Sequence, residues 1–312
     1  MIWLGLKDVI SSNLCTGCAA CTVACPTGAV IVDEFAVIDD GICKSCNMCS
    51  DVCPVVDGHP KDEFDNVVAV YKSRSNLKGQ NGATVTGILK SLFEKGEIDC
   101  AIGVERDEEW NAKPVIIKSA GELFRIAGTE YTYAPIHEAF NKALGEGFKK
   151  IAITGTPCQV HAARRMTDLK KVDGRISAII GLFCLESFYY DGLCKEFIEG
   201  DLGMDLRSVK KMDIDKGKLI IYGEEEKSIP VKDMGKYVRF PCHKCSDFSS
   251  YYADISVGSV GAPSGWNTLI VRNDKGKEIL EKVKDDLELE EGNIEPVKKL
   301  SGFKRKSGSK KK

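Results

Sequence analysis

Cys15-Thr16-Gly17-Cys18-Ala19-Ala20-Cys21-Thr22-Val23-Ala24-Cys25-Pro26 is repeated in pattern 28 residues later by Cys43-Lys44-Ser45-Cys46-Asn47-Met48-Cys49-Ser50-Asp51-Val52-Cys53-Pro54. Both read C-x2-C-x2-C-x3-C-P, and together they use eight of the 14 cysteines in a chain of 312 residues. A chain of that length is not a small disulfide scaffold. Its opening residues 1–10 (MIWLGLKDVI) carry neither the basic start nor the apolar run of an export signal. The expected location is therefore cytoplasmic, and the cysteines are expected to hold metal. With 43% hydrophobic and 29% charged residues the composition is that of a soluble protein of about two domains. No apolar run reaches the roughly eighteen residues of a membrane helix. A net charge of −2 excludes a chain built to wrap nucleic acid. The charge is uneven, because residues 298–312 carry eight basic residues and no acid, leaving −10 on the rest.

Three thiolates at three-residue spacing let one tight loop hold three corners of an iron–sulfur cubane, while the fourth, before its proline, crosses to a second cubane. Structural zinc uses paired C-x2-C knuckles instead, without a third cysteine and Cys-Pro in each. The repeat is thus similar to a two-cluster bacterial ferredoxin module. It assigns Cys15, Cys18, Cys21 and Cys53 to one [4Fe-4S] cluster and Cys43, Cys46, Cys49 and Cys25 to another.

Six cysteines remain. Cys242 and Cys245 form the knuckle PCHKC; Cys158 follows the apolar run Ile151–Ile153, and Cys184 ends the run Ile176–Phe183. Cysteines at two strand ends can converge at a sheet edge, where a knuckle would complete four thiolates. Spacing alone leaves that site open between a third [4Fe-4S] cluster and an all-thiolate zinc. Cys100 and Cys194 read as buried apolar residues.

After the polar break at 57–66 (DGHPKDEFDN), short apolar runs alternate with helical spacing. Strands are expected at 67–71, 100–104, 115–117, 151–153, 176–183, 253–257 and 268–271. Helices are expected at 84–94, 136–144, 159–169, 189–198 and 276–287, and short strands with a hairpin turn at 215–218 between 207 and 231. The class is α/β or α+β with a mixed sheet. The expected organisation is a ferredoxin domain over 1–60, a mixed α/β domain over 61–297 and a basic end over 298–312. Three loops invite a cofactor: Asn81, Gly82, Thr84 and Thr86 at a helix start; Gly128, Thr129 and Tyr131; and Gly155, Thr156 and Pro157. Neither a Rossmann fingerprint nor a Walker A loop occurs. No hydrolase constellation stands out, and His161 and His243 are expected to hydrogen-bond near the cysteines.

GTPCQ at 155–159, GLFC at 181–184, PCHKC at 241–245 and ADISVGSVGAPSGWNTLIVR at 253–272, taken together, resemble the family of β subunits of coenzyme F420 hydrogenases and dehydrogenases. The N-terminal module and CPVVDG at 53–58 bring the chain nearest to the electron-input subunits within that family. The resemblance runs from Val9 to about Lys306. It implies one FAD at the three loops, and a third [4Fe-4S] cluster on Cys158, Cys184, Cys242 and Cys245. The family's flavin loop carries Gly-Gly where this chain has Gly82-Ala83. It also implies hydride transfer from reduced coenzyme F420, the substrate, to FAD, then single electrons through the clusters to other subunits of a complex or to a ferredoxin. The alternatives are an F420:ferredoxin oxidoreductase, the F420-reducing subunit of a hydrogenase or formate dehydrogenase, and a non-catalytic polyferredoxin. Lys72, Arg164 and Arg165 are candidate cations for the anionic tail of F420. The basic end is expected either to be disordered or to dock on an acidic partner or the cytoplasmic face of a membrane complex.

Overall fold

The computed structural model describes residues 5–77 and 79–310. The cysteine repeat builds the first unit: α1 (Leu6–Ser11), α2 (Ala20–Ala24), β1 (Val30–Val32), β2 (Ala36–Ile38), α3 (Met48–Asp51) and α4 (Pro54–Asp57). Proline forces the residue before it out of helical geometry. Cys25 and Cys53 are accordingly extended, with ψ of 113° and 122°. β1 and β2 pair antiparallel and join the two copies.

The remaining elements are β3 (Ala69–Arg74), α5 (Thr84–Glu94), β4 (Cys100–Arg106), β5 (Ala112–Ile117), α6 (Ile136–Gly145), β6 (Ile151–Gly155), α7 (Pro157–Asp168) and β7 (Ile176–Leu182). After these come a π-helix at Asp191–Asp201, the meander β8 (Lys211–Asp215), β9 (Lys218–Tyr222) and β10 (Glu226–Pro230), then β11 (Ile255–Gly258), β12 (Asn267–Val271), α8 (Asp274–Val283), β13 (Glu288–Glu291) and α9 (Glu295–Lys310). Eight strands form one mixed sheet in the order β13-β3-β12-β11-β7-β6-β4-β5. β4, β6, β7 and β11 run parallel at its centre. β6 and β12 are buried along their whole length, as strands covered on both faces must be.

One face carries α6 and α7, and the cysteine module joins that layer: Cys18, Ala20 and Ala24 share a core with Phe140, Ile153 and Met166. The other face carries α5 and α8, with Ile88, Leu89 and Leu92 packed with Ile279 and Leu280. A third core lies under the meander, joining Phe188, Leu193 and Phe197 to Leu219, Ile221 and Tyr237.

Three expectations are corrected. The helix expected at 189–198 is the π-helix at Asp191–Asp201. β13 has no counterpart among the expected strands, because it is an acidic edge strand; Glu288 and Glu290 stand opposite Arg74 and Lys72 and pair with them across the ladder. The basic end is not disordered as far as it is described: α9 runs through Lys310. Val297, Ser301 and Lys304 bury one face of it, at helical spacing, although only the first is apolar.

Candidate functional site

The two cysteine loops have matching backbones. Gly17 and Ala19 of the first, and Ser45 and Asn47 of the second, all have φ between 52° and 73°. Three of these four residues are not glycine and carry a left-handed cost of about 1–2 kcal/mol each. Alternating left- and right-handed residues turn successive N–H groups inward into a nest, a concavity that suits an anionic iron–sulfur core. The N–H of Ala36 donates to Cys15 Sγ at 3.3 Å and that of Ser45 to Cys43 Sγ at 3.5 Å. Against the effect of burial, hydrogen bonds from the Thr27 hydroxyl and the N–H groups of Thr27, Ala29 and Val30 hold the Cys25 thiol below its usual pKa. The donor sets therefore fit two clusters.

Burial pushes the Cys53 thiol up to about 11, helped by Cys15 and Cys49, while burial and then Cys25 raise Cys49. Cys15, Cys18, Cys21 and Cys53 are buried, whereas Cys25, Cys43 and Cys49 are half-buried and Cys46 is exposed.

Cys158 opens α7 directly after β6, and Cys184 lies two residues beyond β7, its neighbour in the sheet. Cys242 and Cys245 belong to a short 3-10 turn and the loop after it. The four influence one another's charge: burial raises the Cys184 thiol, as do Cys242, Cys158 and Cys245, and burial with Cys158 raises Cys242 to about 11. Among the described residues no three His, Cys, Asp or Glu side chains gather tightly enough to grip one metal ion. A zinc ion holds its sulfurs about 2.3 Å from one centre, whereas each cubane thiolate binds an iron of its own. The third site also approaches the first, since Cys158 is among the charges that, after burial, raise the Cys18 thiol.

Sequence reasoning missed the charged frame of this third site. Lys304, buried on α9, donates to the carbonyls of Cys184 at 2.7 Å and Asp247 at 2.8 Å. Burial alone would lower its pKa, but Cys245, Cys184, Cys242 and Asp247 raise it. Glu63, fully buried, accepts from the N–H groups of Phe248 and Ser249, and Arg272 donates to Glu63 O, Asn66 Oδ1 and Ser249 O. Arg239, also buried, donates to the carbonyls of Thr16 and Glu34 and so clamps the first cysteine loop to the body. Buried charges compensated by distant partners leave no periodic trace in a sequence.

All three loops expected to hold a flavin lie at the C-terminal edge of the parallel strands, where ligands of open α/β sheets sit. Asn81 and Ala83 are left-handed, and a Cβ on Gly82 would meet Ser73 O at 2.7 Å, so this loop lies directly on the sheet. The Thr84 hydroxyl is engaged by Ser73, and the Thr156 hydroxyl by Gln159 as a helix cap. Tyr131 packs beside Asp213 of the meander, burial raising its phenol. What remains on offer is backbone: the residue before α5 gives no side-chain cap, and although the Thr84 N–H donates to Asn267 Oδ1 at 3.4 Å, the next N–H groups of that first turn suit a phosphate. Thr154 Oγ1, at the end of β6, is buried without a partner. β3 and β6 stand four strands apart in the sheet, about 19 Å at the usual spacing.

Other candidates fall elsewhere. Lys72 pairs with Glu290, Arg164 with Asp254 at 2.5 Å, and Arg165 with Asp57 at 3.2 Å, so all three candidate cations for F420 are engaged within the chain. His161 bonds Asp57 at 2.8 Å and stacks on Tyr252. Cys100 and Cys194 are fully buried. A cleft of about 690 Å³ between the cysteine module and the π-helix is lined by Asp33, Glu34, Glu138, Asp191 and Glu196, a charge that repels an anionic substrate. Among the described residues no helix is long and apolar enough to cross a membrane.

Residues 67–141 and 148–297 match the N-terminal and C-terminal models described as coenzyme F420 hydrogenase/dehydrogenase, beta subunit, and residues 8–31 match a 4Fe-4S binding domain. The chain is 41% identical to one of the subunits of the F420H2 dehydrogenase of Methanosarcina mazei, over 97% of this chain and 93% of that one. It is 35% identical to coenzyme F420-dependent sulfite reductase of Methanocaldococcus jannaschii, of which it spans 50%. Among solved structures, a chain of the F420-reducing [NiFe] hydrogenase complex of Methanosarcina barkeri superposes with a TM-score of 0.75 at 31% identity, over 81% of this chain and 93% of that one.

Proposed function

The chain belongs to the family of coenzyme F420 hydrogenase/dehydrogenase β subunits, and from that premise we propose that it oxidises reduced coenzyme F420 at a bound FAD and delivers electrons one at a time, through three [4Fe-4S] clusters, to a partner protein. FAD, when bound, supplies the exchange between hydride transfer and single-electron transfer that F420 and iron–sulfur clusters require of each other. The observation that carries the reading is the sheet edge itself. It aligns the loops at 81–86, 128–131 and 155–157 with Cys158 and Cys184, and Cys158 in turn neighbours the first cysteine loop.

Each group of residues then has a task. The N–H groups at the start of α5 hold the flavin phosphates, and Gly82 keeps that backbone against the sheet. Cys158, Cys184, Cys242 and Cys245 hold the cluster beside the flavin. Cys15, Cys18, Cys21 and Cys53 hold the next one, and Cys43, Cys46, Cys49 and Cys25 the last, nearest solvent. No acid–base residue is required of the protein, whose work is positioning and tuning.

The test is anoxic. The chain, reconstituted with iron, sulfide and FAD, receives reduced F420 and then a viologen dye, with NADH and NADPH as controls. Dye reduction driven by reduced F420 alone is the expected result. Turnover from NADH or NADPH alone would overturn the substrate, and a protein that takes up iron but no flavin would leave an electron wire.

A further inference from the structure

We propose that Arg239 holds the first cysteine site at a fixed distance from the third, and so sets the rate at which an electron crosses between the clusters of the two sites. The inference rests on the proposed function, which puts a [4Fe-4S] cluster at each. Arg239 immediately precedes the short turn Phe240–His243 that carries Cys242. Its backbone belongs to the third site: its carbonyl accepts from the Cys242 N–H at 3.0 Å, and its own N–H donates to Ser187 O at 2.9 Å. Its side chain belongs to the first. Nη1 donates to Thr16 O at 2.8 Å and Nη2 to Glu34 O at 3.2 Å. Thr16 follows Cys15 in the chain, and Glu34 lies two residues before Ala36, whose N–H donates to Cys15 Sγ. One residue therefore joins the N–H of a third-site cysteine to both segments that present a first-site cysteine.

The arginine is built in for reach. It is 3% exposed, and its guanidinium lies 4.3 Å from the centre of the Tyr133 ring, 5.6 Å from that of Phe35 and 5.9 Å from that of Tyr189. Packed among three rings, the planar fork has little freedom to turn, and it donates to two fixed carbonyls as an ammonium cannot. Its charge is also felt by the Glu34 carboxylate and the Tyr133 phenol, so its contribution to the first site is position and not an unopposed positive field. The cysteine module has other ties to the body: Arg165 Nε donates to Asp51 O at 3.1 Å, and His161 bonds Asp57 at 2.8 Å. Loss of Arg239 should thus free the first loop locally and leave the module docked.

The step moves one electron from the third cluster to the first, oxidising one and reducing the other, with no bond made or broken and no proton moved. Its rate falls steeply with the gap to be tunnelled, so a loop displaced by about 1 Å costs rate without any change in the cofactors. Arg239 touches no substrate. It is a positioning residue.

The experiment uses the anoxic holoprotein loaded with iron, sulfide and FAD. Reduced F420 is mixed in, samples are frozen at increasing times, and electron paramagnetic resonance follows the third cluster and the two clusters of the module. In Arg239→Met, reduction of the module clusters should lag by at least about tenfold while the third cluster keeps its rate. The spin–spin interaction between the reduced third and first clusters should weaken, with iron content, flavin content and reduction potentials unchanged. Arg239→Lys keeps the charge, loses the fork and should lag too. Tyr133→Phe keeps the ring beside Arg239 and gives up only the hydroxyl that donates to Gly17 O; it should keep the wild-type rate. A wild-type rate in fully loaded Arg239→Met or Arg239→Lys overturns the inference, as does an unchanged spin–spin interaction. So does a lag in Tyr133→Phe equal to that of Arg239→Met, which would make any looseness of the loop sufficient, or a shifted potential that accounts for the lag. If Arg239→Met and Arg239→Lys both lose roughly a third of the iron, the residue builds the first site instead of spacing it, and the inference fails. A wild-type protein that binds only two clusters, or whose clusters stay oxidised in reduced F420, would refute the proposed function beneath it, an outcome visible before any variant is made.

Discussion

At the scale of single residues, the cysteine loops are held by backbone conformations that most side chains avoid. Gly17 has a φ of 73°, and a Cβ placed there would lie 2.5 Å from the Tyr133 ring and 2.7 Å from Glu34 O. Gly28, also left-handed at 69°, has open space around its Cβ position. The two therefore separate strain from collision. Gly28→Ala should cost about 1–2 kcal/mol of stability and leave iron content unchanged. Gly17→Ala carries the same strain together with overpacking of about 1–3 kcal/mol against backbone that cannot move without opening the loop. It should lose the first cluster, seen as a drop of roughly a third in iron per chain. Equal iron content in the two variants would show that the loop tolerates the displacement.

At the scale of elements, what could be read from the sequence follows from where each element finds its partners. The repeat of C-x2-C-x2-C-x3-C-P was legible because the ligands of one loop are local, and β6 and β7 because strands buried on both faces are continuously apolar. The convergence of Cys158 and Cys184 follows from both being at strand ends. α9 and β13 were hidden for the opposite reason. β13 is stabilised by Arg74 and Lys72 across the ladder, and α9 continues the short apolar spacing of Ile294, Val297 and Leu300 with a buried serine and lysine, so neither shows a sustained apolar period. The Glu63–Arg272 frame, whose members lie 209 residues apart, has no sequence pattern at all. A loose α9 and a docked one predict different things of Val297, which lies on that helix just before the basic end and is fully buried. Val297→Ala should lower stability by about 2 kcal/mol, from two methyl groups removed from a packed site. Chemical denaturation of the anoxic holoprotein measures it, and a change within experimental error would return the segment to a loose end.

At the scale of the whole molecule, burial sets an order on the three sites. The third lies at the sheet edge with the flavin loops, the first is enclosed between the module and α6–α7, and the second ends in exposed Cys46 with Ile42 beside it at 45% exposure. On the proposed path, the charge of Cys158 is felt at Cys18, after burial and the nearer cysteines, so the third site would hand electrons to the first, and the second site would be the exit toward a protein partner. Cys46→Ser should remove or cripple that cluster alone, since its three remaining ligands are half-buried and the other two sites share none of them. Reduced F420 should still be oxidised and still drive a small viologen, which can reach the protein at more than one point. Reduction of a protein acceptor, bound where the second site surfaces, should fall by at least about tenfold, some 1.4 kcal/mol of barrier. Cys158→Ser should abolish both, because it breaks the path before the branch. If Cys46→Ser instead leaves protein reduction intact, electrons leave from the first site, and the acidic cleft beside Glu34 and Asp191 becomes the face on which a basic partner would sit.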